Sequence, residues 1–362
     1  MSLVPKPEVQ GLKPSTHGGV NHAELEGLGI SPEEVLDFSA NLNPFGPPQS
    51  VIESLSQTDI AHYPDSESTH LTRSLARTLG LKTSNIIVGN GSTELIRLAA
   101  LAYFNPGDRI IIITPTFGEY EIAGQIAGAA IIEQRLSPEK GFHLEVDDTI
   151  ELVQKHRPKG IFITNPNNPT GRYISRADLE RILESSQESL LILDEAYLTF
   201  VDNPWSSLDM VKRGNLLVLR SMTKDYALAG LRLGYGVANE DIIDALSRIR
   251  PPWNVNAVAQ QAGIMALKEG KYVKQCQTRI KQAREYLVAE LSHLDLPPLP
   301  SEASFFLVRV TNSSEFRRRL LEQKMLVRDC TSFGLPGYIR IAPRTLPECQ
   351  QLVAAVRKIS GR

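Results

Sequence analysis

The sequence predicts an α/β fold with a mostly parallel central sheet covered by helices, followed by a smaller α+β domain. The first observation is that short apolar runs alternate with helical stretches, which is typical of parallel strands buried on both faces. The second is that this alternation is lost in the last third of the chain. The third is that 362 residues, 42% of them hydrophobic and 22% charged, suffice for a large core divided over two domains.

The individual elements follow from apolar periodicity and from residues that begin or end a helix. Strands are predicted at the start of 85–94 and at 109–114, 130–134, 160–164, 190–193 and 215–220. Helices are predicted at 71–79, 95–103, 120–126 and 147–155, and after an N-cap at Ser175. Further along, a helical pattern over 257–294 is interrupted near Gly270, strands are predicted at 304–310, 325–328 and 338–342, and helices at 314–323 and 346–359.

These elements predict three parts of the chain. Residues 1–49 form an N-terminal arm that joins the small domain, 50–262 form the large domain, and 263–362 form the C-terminal small domain. Within the arm, residues 1–22 are rich in Pro, Gly and His and carry neither a helix nor a strand period, so we expect them to be irregular.

Composition excludes several classes of partner. The formal net charge is −2 and no long basic run is present, which argues against nucleic acid and against an anionic membrane surface. No apolar run reaches the length of a membrane span, and the N-terminus lacks the apolar core of a signal peptide, so a cytoplasmic location is expected. Cys276, Cys330 and Cys349 show no metal-ligand spacing, so we interpret them as structural and expect no metal.

Ligands of such sheets bind beyond the carboxyl ends of the strands, which makes the residues at strand ends the first candidates. Lys224 closely follows the apolar strand 215–220. A lysine in that position is more often a solvated surface residue. Our hypothesis is that it forms a Schiff base with an aldehyde cofactor, provided that other strand ends supply what such a cofactor needs.

Other strand ends offer polar groups of different kinds. In 89–94, glycines, free backbone N–H groups and the hydroxyls of Ser92 and Thr93 suit a phosphate, although a common structural turn has the same pattern. Asn168 lies in the Pro-rich segment 165–171 and is either a donor to a ring hydroxyl or part of a rigid turn.

A carboxylate and two aromatic residues follow two further strands. Asp194 directly follows the strand 190–193, where a buried carboxylate needs a partner such as a protonated ring nitrogen; a helix N-cap or an ion pair are the alternatives. Tyr197 is near enough in sequence to reach the same ligand. Phe117 comes just after the strand 109–114 and either stacks on a planar ring or belongs to the core.

Taken together, these motifs resemble those of the fold-type I pyridoxal-phosphate enzymes in the aminotransferase class I/II group. The matching segments are 89–94, 165–171, 194–197, 221–224 and 230–234, which occur in the order found in that family and span most of the chain. The resemblance implies a PLP-dependent transferase-like fold and pyridoxal 5'-phosphate as cofactor.

The resemblance also implies a role for each matching residue. Lys224 would hold the cofactor as an imine and move the Cα proton, and Asp194 would keep the pyridine nitrogen protonated. Asn168 and Tyr197 would bond the ring oxygen, and Phe117 would stack on the ring. The cofactor phosphate would be held by Ser92, Thr93, Ser221 and Arg232, with Tyr63 reaching it from a neighbouring subunit, so that a homodimer with shared active sites is expected.

Two branches of this family are similar to the chain, threonine-phosphate decarboxylase and histidinol-phosphate aminotransferase. His17-Gly-Gly19 and the segment 37–46 are similar to the opening of the decarboxylases, although Val20 stands where they have Asn. The resemblance implies that Arg340 binds the substrate α-carboxylate, that Arg328 is a second substrate arginine of the decarboxylase branch, and that His17 and Asn41 help to bind a substrate phosphate.

The sequence therefore leads us to expect decarboxylation of L-threonine O-3-phosphate to (R)-1-amino-2-propanol O-2-phosphate, a step of cobalamin biosynthesis. A histidinol-phosphate or related class I/II aminotransferase is the alternative, because motifs do not encode which Cα bond is held perpendicular to the ring and broken. A non-catalytic binding domain on the same fold is a further alternative.

Overall fold

A computed structural model describes residues 3–361 and contains one large sheet, one small sheet and a separate strand pair. The strands are β1 Leu36–Asp37, β2 Ile86–Asn90, β3 Arg109–Thr114, β4 Ala130–Arg135, β5 Gly160–Thr164, β6 Leu190–Asp194, β7 Leu216–Ser221, β8 Leu233–Val237, β9 Phe306–Arg309, β10 Met325–Leu326, β11 Arg328–Asp329 and β12 Tyr338–Ile341. The helices are α1 Pro7–Gln10, α2 His22–Leu28, α3 Gln49–Leu55, α4 Thr69–Leu79, α5 Gly91–Tyr103, α6 Glu119–Ile126, α7 Val146–His156, α8 Arg176–Ser185, α9 Glu240–Ile249, α10 Ala257–Ala266, α11 Gly270–His293, α12 Ser313–Leu321 and α13 Leu346–Ser360.

The large sheet has seven strands in the order β2-β8-β7-β6-β5-β3-β4. Strands β3 to β7 pair in parallel, and β8 runs antiparallel to both of its neighbours, β2 and β7. The predicted α/β class with a mostly parallel sheet is therefore confirmed. The reversed strand β8 was not predicted, because its sequence Leu-Gly-Tyr-Gly-Val contains two glycines, which weaken a strand pattern.

Helices cover both faces of this sheet, and alternate strand residues point to opposite sides. Ile111 and Ile113 of β3 pack in the core formed with α4, α7, α8 and α10. Ile110 and Ile112 pack on the other side with α5, α6 and α9. A strand buried on both faces is apolar at every position, and this explains the continuous apolar run from which β3 was predicted.

The smaller sheet is antiparallel, in the order β11-β12-β9, and packs on α11 and α13. The N-terminal part of the chain reaches this region, because β1 pairs in parallel with β10 and Phe38 lies in the same core. The predicted strand 325–328 is divided into the two short strands β10 and β11. The division of the chain at residues 49 and 262 stays a prediction.

The N-terminal segment is more regular than expected. Helix α1 forms within residues 1–22, which were predicted to be irregular, and α2 begins at His22. Asn21 caps α2, since its side chain accepts a hydrogen bond from the Glu24 N–H at 3.3 Å, and Gly29 ends the helix in the left-handed region with φ 66°. Within residues 3–361, no helix combines the length and apolar character needed to cross a membrane. The cytoplasmic location stays a prediction.

We predict that Gly234→Ala destabilises the protein while Gly230→Ala does not. A Cβ on Gly234 would lie 2.5 Å from the Ser92 nitrogen and 3.0 Å from the Arg220 oxygen, both of them backbone atoms that cannot turn away. A Cβ on Gly230 meets nothing within 4 Å. Overpacking of this kind costs about 1–3 kcal/mol. Urea unfolding of both variants checks this, and equal midpoints would contradict the close approach of β8 to α5.

Candidate active site

A cavity of about 620 Å³ lies at the carboxyl ends of the parallel strands, a size that suits a small-molecule ligand. Of the predicted site residues, all except Tyr63 line it: His17, Asn41, Ser92, Thr93, Phe117, Asn168, Asp194, Tyr197, Ser221, Lys224, Arg232, Arg328 and Arg340. Strand register brings them together, since Thr164 at the end of β5 pairs with Asp194 at the end of β6, and Ser221 at the end of β7 pairs with Gly234.

Lys224 lies in the turn that follows β7. Its backbone oxygen accepts a hydrogen bond from the Asn43 N–H at 2.9 Å, which fixes this turn against the N-terminal part of the chain. Its Nζ lies 5.9 Å from the centre of the Tyr197 ring. No carboxylate of the described residues forms an ion pair with Lys224. The amine is therefore available to a ligand in the cavity.

Asp194 is buried, with 4% of its surface exposed. Its Oδ2 accepts a hydrogen bond from the Tyr120 hydroxyl at 2.9 Å, and its Oδ1 accepts one from the Ala196 N–H at 2.9 Å. Burial raises the pKa of Asp194, while these two hydrogen bonds and the nearby charge of Lys224 act to lower it. A ligand cation would compensate the burial of this carboxylate.

Tyr120 was not recognised as a site residue from the sequence, where it only began a predicted helix. Its ring stacks on Phe162 with centroids 5.0 Å apart and meets the edge of Phe117 at 5.6 Å. Burial and the charge of Asp194 raise the pKa of Tyr120 well above its usual value. The phenol is therefore a neutral hydrogen-bond donor.

The amino end of α5 and the segment before β8 form a cradle of donors. Gly91 has φ 71°, and a Cβ there would lie 2.8 Å from the Arg232 guanidinium, so glycine is required for this approach. Ser92 and Thr93 follow in the first turn of α5, where backbone N–H groups favour an anion. The hydroxyl of Ser221 lies 2.7 Å from that of Thr223. This arrangement suits a phosphate dianion.

Two buried arginines lie on the opposite side of the cavity, directly across from each other on β11 and β12. Arg340 donates to Asn168 Oδ1 and to the Ser39 carbonyl, and its buried Nε has no partner. Burial lowers the pKa of Arg340, and burial together with the charge of Arg340 lowers that of Arg328. Neither arginine forms an ion pair within the described chain, so this side of the cavity favours anionic groups.

The N-terminal segment closes the cavity beside Arg328. Arg328 donates to the Thr16 carbonyl at 2.7 Å, and His17 lies 3.3 Å from Glu119 Oε1. Arg97 donates to the other oxygen of Glu119 at 2.7 Å. Arg97 and Glu119 were missed in the sequence, because each looks like an ordinary charged helix residue until the fold brings α5 and α6 together.

Asn41 and Tyr197 complete the wall between the two sides. The amide of Asn41 donates to the Tyr197 hydroxyl at 3.3 Å, and its buried Oδ1 has no partner. The Tyr197 ring packs edge-on against Phe305. The unpartnered oxygen is available to a donor on a ligand.

Tyr63 does not line the cavity. Its side chain is 79% exposed and stacks on Trp253, with the ring centroids 4.4 Å apart. Its predicted contact with the cofactor phosphate of a neighbouring subunit therefore stays a prediction.

The residues present fit the cofactor that the resemblance implies. A phosphate matches the cradle of Ser92, Thr93 and Arg232, a protonated ring nitrogen matches the buried carboxylate of Asp194, and an aldehyde matches the free amine of Lys224. The described part of the chain brings no three His, Cys, Asp or Glu side chains together as a metal site.

Comparison with known proteins identifies the family. The family model for aminotransferase class I and II matches residues 33–356. The histidinol-phosphate aminotransferase of Moorella thermoacetica is 35% identical over 369 residues, covering 99% of this chain and 94% of that protein.

Two solved structures are similar over most of their length. The histidinol-phosphate aminotransferase from Clostridium acetobutylicum has a TM-score of 0.84 at 28% identity, and L-threonine-O-3-phosphate decarboxylase from Porphyromonas gingivalis has a TM-score of 0.80 at 27% identity. Each similarity covers 90% of this chain and 99% of the other. The chain therefore belongs to the aminotransferase class I and II family of fold-type I enzymes, whose cofactor is pyridoxal 5'-phosphate.

Proposed function

We propose that this enzyme is an aminotransferase that takes histidinol phosphate as its amino donor. The proposal reverses the order of the two functions expected from the sequence, because the similarity to a histidinol-phosphate aminotransferase extends over 99% of the chain. The observation that carries it is that Lys224, Asp194 and two buried arginines, which form no ion pair within the described residues, line one and the same cavity. Such a cavity suits a small substrate with an amine and an anionic group.

The residues that line the cavity divide the work of this proposed reaction. When bound, pyridoxal phosphate withdraws electrons from the substrate Cα. Lys224 would hold the cofactor through Nζ and, once the substrate has freed that amine, would carry the Cα proton on it, and Asp194 would keep the proton on the ring nitrogen. Phe117 stacks on the ring, while Asn168 and Tyr197 donate to its oxygen. Ser92, Thr93, Ser221 and Arg232 hold the cofactor phosphate.

The buried arginines orient the substrate. We propose that Arg340 binds the carboxylate of an amino or keto acid and that Arg328, with His17 and Asn41, binds a second anionic group. Their hold on the substrate would select which bond at Cα breaks. For transamination it would turn the Cα–H bond toward Nζ of Lys224, which would take the proton.

Decarboxylation of L-threonine O-3-phosphate is the second candidate, favoured by the N-terminal segment. Arg328 contacts Thr16, and His17 contacts Glu119, so the segment with the decarboxylase-like His-Gly-Gly sequence borders the cavity. Threonine phosphate carries a carboxylate and a phosphate in one molecule, and the facing pair Arg328 and Arg340 offers two cations for them.

A homodimer with shared sites is part of the proposal. It is supported by Tyr63 and Trp253, which form an exposed aromatic stack outside the cavity of their own chain. Sedimentation equilibrium of the holoenzyme should give the mass of two chains; a monomer that is fully active at every concentration would refute shared sites.

The reaction is tested by offering both substrates to the purified holoenzyme. We expect histidinol phosphate with 2-oxoglutarate to yield glutamate, and L-threonine O-3-phosphate to release no CO₂. Release of CO₂ and aminopropanol phosphate without glutamate would replace the first candidate by the second. Lys224→Ala should abolish turnover and the visible absorption band, whereas Lys212→Ala, at an exposed position, should retain both. Turnover of neither substrate by the wild type would reject both candidates.

Arg340→Gln should lower kcat/KM about 100-fold, because it removes one partner of a buried, charge-assisted contact with substrate. Arg309→Gln is the matched control, since Arg309 is an exposed residue of β9 in the same small sheet and should leave kcat/KM unchanged. Steady-state kinetics of both variants checks this. Equal kcat/KM for Arg340→Gln and wild type would exclude Arg340 from substrate binding.

A further inference from the structure

The hydroxyl of Tyr120 is buried between the carboxylate of Asp194 and the hydroxyl of Thr164. It lies 2.9 Å from Asp194 Oδ2 and accepts a hydrogen bond from Thr164 Oγ1 at 2.8 Å. The side chain is only 1% exposed, and its stacking on Phe162 holds the ring in place. The phenol therefore contacts Asp194 from within the cavity lining, with no need of a ligand.

A chain of side-chain hydrogen bonds sets the direction of the Tyr120 proton. Asn167 donates its amide hydrogens to a backbone carbonyl and to another hydroxyl, so its Oδ1 accepts from Thr116 at 2.8 Å. The proton of Thr116 is thereby used, and Thr164 directs its own proton to the Tyr120 hydroxyl. An ionised Asp194 carboxylate can only accept, so the proton of Tyr120 points at Asp194.

Asp194 depends on these donors because its surroundings disfavour a charge. The ionisable groups around it are Tyr120 from α6, Lys224 from the turn after β7, and Glu195 and Tyr197 beside it in the chain. Burial raises the pKa of Asp194, the Glu195 charge raises it further, and the hydrogen bond from Tyr120 is the largest influence that lowers it. The side chain of Tyr120 thus opposes the effect of burial.

We propose that Tyr120, oriented by Thr164, is a positioning residue that keeps Asp194 ionised and aimed at the ring nitrogen of the cofactor. The inference rests on the role proposed for Asp194 and holds for either candidate reaction, because both need the protonated ring. It assigns Tyr120 no contact with the cofactor.

The test measures cofactor binding as a function of pH in Tyr120→Phe. The phenylalanine ring keeps the stacking on Phe162 and the edge contact with Phe117 but removes the proton donor. We expect the Kd for pyridoxal phosphate, from titration of the apoenzyme, to rise about 10-fold near neutral pH, as for loss of a hydrogen bond to a charged group.

The sign of the pH dependence distinguishes this role from packing. Removing the donor raises the pKa of Asp194, so less of it is ionised at a given pH, and the ionised form returns as the pH rises. The defect of Tyr120→Phe should therefore shrink toward alkaline pH, and the pH profile of the cofactor absorption band should shift to higher pH. Thr164→Val should act in the same direction, and Thr164→Ser should restore wild-type behaviour.

Tyr103→Phe is the matched control, because the Tyr103 hydroxyl forms no hydrogen bond within the described residues and lies outside the cavity. A wild-type Kd and pH profile in Tyr120→Phe, or a defect of equal size at every pH, would overturn the inference. If Tyr120→Phe does not fold, the pH profiles of Thr164→Val and Thr164→Ser test the inference instead. Wild-type profiles in both variants would overturn it. Asp194→Asn tests the role of Asp194 separately from that of Tyr120. If this variant leaves cofactor binding and the cofactor spectrum unchanged, the role proposed for Asp194 fails as well.

Discussion

The structure of the site depends on the burial of charged groups between the carboxyl edge of the large sheet and the small sheet. Asp194, Arg328 and Arg340 are nearly inaccessible to solvent, and none of them forms an ion pair within the described chain. An isolated buried charge is strongly unfavourable unless hydrogen bonds or a ligand compensate it. Asp194 has donors from Tyr120 and Ala196, and Arg340 has acceptors on Asn168 and Ser39. Ligands of opposite charge complete the compensation.

The backbone brings these groups together through strand register and close approach. Parallel pairing aligns the ends of β5 and β6, so that Thr164 and Asp194 lie beside each other and both meet Tyr120. Gly91 and Gly234 allow the start of α5, the reversed strand β8 and Arg232 to come within contact distance. The small sheet contributes the facing arginines from the other side, so the cavity requires both parts of the chain.

Much of the site could be predicted from the sequence, because residues that follow neighbouring buried strands come together along one edge of the sheet. Lys224, Asp194, Asn168 and Ser92 were found in this way and all line one cavity. Tyr120 could not be identified in this way, because its role depends on α6, which packs the Tyr120 ring against Phe162 beneath Asp194. Contacts of this kind follow from tertiary packing and not from local pattern.

Other features that were not predicted from the sequence also arise from tertiary packing. The contacts among Arg97, Glu119 and His17 join two helices and the N-terminal segment, which are far apart in sequence. Strand β8 is held by pairing on both edges, which outweighs the low strand propensity of its two glycines. The reaction also depends on the orientation of a substrate bond, and residue types alone do not determine that angle.

The central claim is that Lys224 carries the cofactor, and covalent trapping tests it most directly. Reduction of the holoenzyme with borohydride, followed by proteolysis and mass spectrometry, fixes pyridoxal phosphate on the amine that holds it. The account predicts the modification on the peptide that contains Lys224 and on no other lysine. A stoichiometric modification at a different lysine, or none in a holoenzyme that has the visible cofactor band, would contradict it.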